Sequence, residues 1–254
     1  MATPAIAVLI TRKLIKDTKP LNFSPKFLKD KKALAFSALL PSAAIFFCAI
    51  LFYIVFPDDL DFKGTFISEN FAQYGVPANI EFDVVSMLTM GLIVYVISAI
   101  IVPYWFISLG EDIGWQGYML PMLCEKMPVR CAVVLNGALW GLGHAPLIYW
   151  GFNYGTDYMS APFGGIVVMT VFCMVVGVWM SYITFRTKNC MYAGVIHGSV
   201  NLIGEVPIWL SLSTQSTLFG PNPTGIIGMS VLLIGAMVLL IKMPSCDERC
   251  ESKV

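Results

Sequence analysis

The chain has 254 residues, 57% of them hydrophobic and only 13% charged, with a mean hydropathy of +0.75 and a formal net charge of zero. Soluble domains carry roughly a quarter charged residues, so a water-soluble globular enzyme is excluded, and nothing in the charge pattern points to nucleic acid. The composition is that of an all-α, polytopic transmembrane helix bundle with the lipid bilayer as its solvent. Seven cysteines (48, 124, 131, 173, 190, 246, 250) are scattered with no CxxC. They read as small core hydrophobes, with Cys246 and Cys250 of the polar tail as exposed thiols.

In chain order, the apolar stub MATPAIAVLI runs into Thr11-Arg12-Lys13 without a cleavage site and resembles the end of a helix. Residues 11–32 then carry eight bases against Asp17 and Asp30, which predicts a cytoplasmic segment. Spans follow at 33–56, with Pro41 as a kink site, at 84–109, 131–150, 162–185, 190–210 and 226–241. An acidic loop from Asp58 to Asp83 lies between the first two. In this six-span scheme fifteen of the sixteen Lys and Arg residues fall on one side and only Lys63 on the other, placing the C-terminus in the cytoplasm. The N-terminal stub could add a partial seventh helix. The division is a stub and basic segment at 1–32, a membrane domain at 33–243 with its motif core at 85–205, and a charged tail at 244–254.

Polar groups inside apolar spans are the functional candidates, because lipid offers them no partner. Glu111 and Asp112 follow directly on the second span. The two histidines of the chain both fall in spans, His144 four residues after Trp140, and His197 four before Asn201 and eight before Glu205. Equal helical faces group these residues, and the economical arrangement is one interior cluster of Glu111, Asp112, His144, His197 and Asn201. Such a set is open to several readings. It could be a structural polar network or a transport path. It could be a hydrolytic site in which a carboxylate takes a proton from water and His with Asn stabilises an oxyanion. Glu111, His144 and His197 could also hold zinc, although no HExxH is present. Gly137 and Gly141 read as close-packing positions, Trp115 and Tyr118 as packing or interfacial anchors, and Glu205 as a solvated group near the outer end, with a role in the cluster as the alternative.

Three stretches resemble, in order, the motifs of the CAAX prenyl protease and bacteriocin-processing (CPBP) family of intramembrane proteases. EDIGWQGYMLP resembles its EExxxR motif, Trp140-Gly-Leu-Gly-His144-Ala-Pro146 its aromatic-xxx-His motif, and His197-Gly-Ser-Val-Asn201 its HxxxN motif. The resemblance covers about 85–205. It implies an endopeptidase acting on membrane-anchored peptides or proteins, prenylated CAAX ends or bacteriocin and leader peptides among them, without a metal cofactor. Glu111 would activate the water with His144, and His197 with Asn201 would hold the oxyanion. Asp112, Gln116 and Trp140 would support them.

Two departures stand out: Asp112 is a methylene shorter than the family's second Glu, and Gln116 replaces its Arg. A neutral amide cannot make the charged fork an Arg makes, which keeps open a non-catalytic immunity or peptide-binding protein on the same fold. The family's usual first hairpin has no counterpart ahead of TPAIAVLITRKL. The cavity is expected to face the cytoplasm. A depth mismatch also arises, since His144 lies fourteen residues past Arg130, about 21 Å of helix, while Glu111 is placed at the cytoplasmic surface.

Overall fold

The structure, a computed structural model, describes residues 2–72, 83, 85–86, 88–93, 104–212 and 217–243. The described part is helical, with a single isolated bridge between Leu60 and Ser211 and no strand. In chain order it contains α1 (Thr3–Ile15), α2 (Lys31–Val55), α3 (Thr65–Ala72), α4 (Tyr104–Asp112), a π-helical segment (Ile113–Met119) and α5 (Leu120–Cys124). Then come α6 (Val129–Gly143), α7 (Ala145–Tyr149), α8 (Phe163–Thr187), α9 (Met191–Ile203) and α10 (Ser230–Ile241).

Two helices, α2 and α8, are long and apolar enough to cross a membrane by length and composition. Asp30 starts α2 by accepting the Lys32 and Ala33 backbone N–H groups, the usual role of an N-cap carboxylate, and the helix runs through Pro41 unbroken. The other predicted spans are shorter. The third is α6, fifteen residues ending at Gly143, and the fifth is α9, thirteen residues ending at Ile203. The sixth is α10, twelve residues beginning at Ser230. Of the second span, 85–86, 88–93 and 104–109 are helical. The rest of it, Glu81 and the tail with Cys246 and Cys250 lie outside the described residues. Large apolar side chains such as Phe47, Ile54, Leu142, Ile234 and Ile241 are exposed on α2, α6 and α10, an apolar outer surface that water does not favour.

The apolar stub lies in α1, which runs through Arg12 and Lys13 to Ile15 and packs on α4 and the π segment. One expectation is corrected: the helix that carries the second span does not end at Leu109. α4, the π segment and α5 follow one another without a break from 104 to 124, so Glu111 and Asp112 lie within a helical run. Glu111 is fourteen residues ahead of Glu125, the same separation as His144 from Arg130, and the depth mismatch disappears.

The π segment has a local cause. Pro121 has no N–H to give to Gly117, one helical turn earlier, and the Gly117 carbonyl instead accepts the Asn22 N–H at 3.2 Å. The basic segment is thereby tied to the run that carries the carboxylates. Asn189 adds a second tie, accepting the Ser24 and Met191 N–H groups and donating to the Ser24 carbonyl.

The core forms where α8 lies between α6 and α10 with α9 behind. α6 and α8 come together at the glycines: a Cβ on Gly137 would lie 2.6 Å from the Met174 Cα, and one on Gly141 2.5 Å from the Thr170 Cα. The close-packing reading of that pair stands. Trp179 Nε1–H donates to the Leu232 carbonyl at 3.0 Å and joins α8 to α10.

Candidate active site

Four helical pieces bring their polar residues to one cavity of about 240 Å³. Glu111 comes from α4, Trp140 from the last turn of α6, His144 from the α6–α7 junction, and His197 with Asn201 from α9. The first half of α8 supplies Met169, Phe172 and Cys173, and the loop before α10 closes the far side with Asn222, Pro223 and Thr224. The helix break at His144 follows from Pro146, which has no N–H for the Leu142 carbonyl. The His144 N–H turns to Gly141 at 3.0 Å instead.

Trp140 is the hub of the hydrogen-bonded geometry. Its Nε1–H donates to Glu111 Oε2 at 2.9 Å, and its ring lies 5.1 Å from the His197 ring and 6.0 Å from the His144 ring, edge-on to both. The Trp140 carbonyl is 3.0 Å from His144 Nδ1. A carbonyl only accepts, so that nitrogen carries the proton, and in the neutral ring Nε2 is the basic atom.

Asp112 and Gln116 are fully buried and stand behind the cavity rather than on its wall. Asp112 Oδ2 is 3.3 Å from His197 Nδ1, while its Oδ1 has no hydrogen-bond partner among the described residues. Asp112 thus backs the imidazole whose other edge is turned to the cavity. Gln116 Oε1 accepts the Ser181 hydroxyl of α8 at 3.0 Å, so at the position of the family's Arg a neutral bond reaches α8 instead of a charged fork on a carboxylate. Trp115 and Tyr118 line an apolar groove against α1 with Pro4 and Val8, away from the cavity.

Among the described residues no three His, Cys, Asp or Glu side chains gather as metal ligands. Glu111, His144 and His197 share the cavity, the Trp140 ring packs on both imidazoles, and the two Nδ1 atoms are turned to a carbonyl and a carboxylate, which leaves Nε2 as the free nitrogen of each ring.

Glu205 lines the cavity, in keeping with the face it shares with His197 and with the cluster role left open for it. Sequence reasoning missed other parts of the wall. Asn222, Thr224 and Asn153 reach the cavity from loops that carry no periodic signal. Asn136, buried four residues before Trp140 but not on the cavity wall, could have been found as a polar residue in an apolar run.

The cavity occupies one half of the bundle. It is built from the end of α6, the first half of α8 and the second half of α9, together with the loops beyond them. The basic residues mark the other end: Arg130 donates from the start of α6 to the Ile241 carbonyl at the end of α10, and Arg186 closes α8. The cavity thus lies away from Arg130 and Arg186.

Residues 90–203 match the family model of the Rce1-like type II CAAX prenyl endopeptidases. That range contains all three motifs and is a match to the protease family they resemble. Comparison with curated proteins gave no match.

Proposed function

On the strength of this Rce1-like segment, we propose that the chain is a multi-pass intramembrane endopeptidase that hydrolyses peptide bonds of membrane-anchored substrates without a metal. One observation carries the reading: the four residues drawn from three separate motifs line a single cavity, with Trp140 holding Glu111 beside the two imidazoles.

In the proposed reaction Glu111, oriented by the Trp140 N–H, takes a proton from a water molecule, and the basic Nε2 of His144 orders that water. The water oxygen forms the new bond to the scissile carbonyl carbon. His197, as an imidazolium whose Nδ1–H is held by Asp112, donates from Nε2 to the oxyanion together with the Asn201 amide. The C–N bond then breaks as the proton held by Glu111 passes to the departing amine. Peptides with prenylated CAAX ends and bacteriocin or leader peptides are the substrate classes to screen.

Glu111→Ala and His144→Ala should each abolish cleavage of membrane-anchored and prenylated peptides by the purified full-length protein. Equal rates in parent and variants would refute the assignment. Activity that survives exhaustive chelation, with no metal by elemental analysis, supports the metal-free route, and loss restored by zinc would overturn it. A non-catalytic peptide-binding protein is the second reading, favoured by the neutral Gln116–Ser181 bond. It predicts that binding of the same peptides persists, with no cleavage by the parent.

A further inference from the structure

The cavity has a second polar end that the hydrolytic steps do not use. Glu205 lies four residues beyond Asn201, in the turn that follows α9, and lines the cavity together with Asn222 and Thr224. It is exposed at this wall, and among the described residues no base pairs with it. Asn222 Oδ1 is a buried acceptor with no donor among the described residues. The two groups belong to segments pressed together, since a Cβ on Gly204 would lie 2.9 Å from the Pro223 Cγ. This end therefore offers acceptors, one of them charged, in search of donors. Its surroundings have the same sign: Asp58 and Asp157 are exposed at the base-poor end, where Lys63 is the lone cation in the sequence.

We propose that Glu205, with Asn222, is a specificity-determining pair that selects a Lys or Arg side chain of the substrate close to the scissile bond. The inference rests on the reading of His197 and Asn201 as the oxyanion site. Four residues of helix span about 6 Å, and an extended peptide rises roughly 3.3 Å per residue, so the cation belongs about two residues from the bond that breaks. An ammonium or guanidinium there donates to both the carboxylate and the orphaned amide oxygen. A free terminal carboxylate in the same place meets Glu205 with no compensating base, so a chain ending there is disfavoured.

The test uses the full-length protein and its Glu205→Gln and Glu205→Lys variants in phosphatidylcholine nanodiscs, where the lipid adds no net charge. The probes are lipid-anchored fluorescent peptides with Lys, Gln or Glu stepped through the three positions on either side of a fixed centre. Binding is read by anisotropy and cleavage by mass spectrometry. A charge-assisted hydrogen bond predicts a preference of the parent for Lys over Glu of roughly tenfold or more at the best position. That preference should be lost in E205Q and reversed in E205K. No Lys-over-Glu preference in the parent, or one that is unchanged in E205Q, overturns the proposal. A preference that follows residue 205 without any cleavage sustains it and removes the hydrolytic reading. Cleavage that needs Glu111 but ignores residue 205 does the opposite.

Discussion

Replacing Trp140 by Phe removes one hydrogen-bond donor while leaving an aromatic ring between the two imidazoles. The donor is the indole N–H that holds Glu111 Oε2 at 2.9 Å. A hydrogen bond to a charged group contributes about 1.5–3 kcal/mol, and each 1.36 kcal/mol is tenfold in rate. If the bond serves to aim the Glu111 carboxylate at the water, Trp140→Phe should lower kcat by roughly ten- to hundredfold. The smaller ring also leaves a void beside a largely buried position, so thermal unfolding must be followed in parallel to separate lost orientation from lost packing. The assay is cleavage of a membrane-anchored peptide by purified parent, W140F, E111Q and the double variant. Because Trp140 acts through Glu111, W140F should add little to the loss already caused by E111Q. A rate for W140F within twofold of the parent, or full additivity of the two substitutions, would refute the reasoning.

Other outcomes follow from the same geometry. Gly141→Ala puts a Cβ 2.5 Å from the Thr170 Cα and should destabilise the α6–α8 pair by about 1–3 kcal/mol, whereas Gly143→Ala, with nothing within 4 Å, should not; thermal unfolding in detergent compares the two. Asp112→Asn should cut activity about tenfold or more with unfolding unchanged or slightly raised, because a buried carboxylate with an unpartnered oxygen is poor stabilisation but supports the His197 proton. Asn189→Ala removes two hydrogen bonds to Ser24 of the basic segment and one to the Met191 N–H at the start of α9. It should lower the unfolding temperature and expose residues 17–30 to limited proteolysis, at a cost of about 1–3 kcal/mol for the buried partners left behind.

The motif residues were legible before any coordinates because polar groups in apolar helices stand out, and helical spacing says which of them share a face. His197 and Asn201 are four residues apart on α9, and Trp140 precedes His144 by four, as a shared face requires. The roles within the cluster were less legible. Asp112 is adjacent to Glu111 in sequence, yet in a helix adjacent residues diverge by about a third of a turn. One carboxylate therefore meets the cavity and the other the back of His197. Gln116 gave no hint of Ser181, a partner sixty-five residues away on α8.

Composition and periodicity by themselves determined the helical class, the basic and acidic ends, and the short set of polar residues that lipid cannot satisfy. Burial follows from those without reference to distant contacts. Only tertiary structure decided that the helical run continues past Leu109 to Cys124 and that the basic segment is tied to it, the Asn22 N–H reaching the Gly117 carbonyl that Pro121 cannot serve. It also decided which end the cavity occupies. Walls such as Glu205 and Asn222 come from a turn and a loop, and loops are placed by the packing of the helices they join rather than by any period of their own.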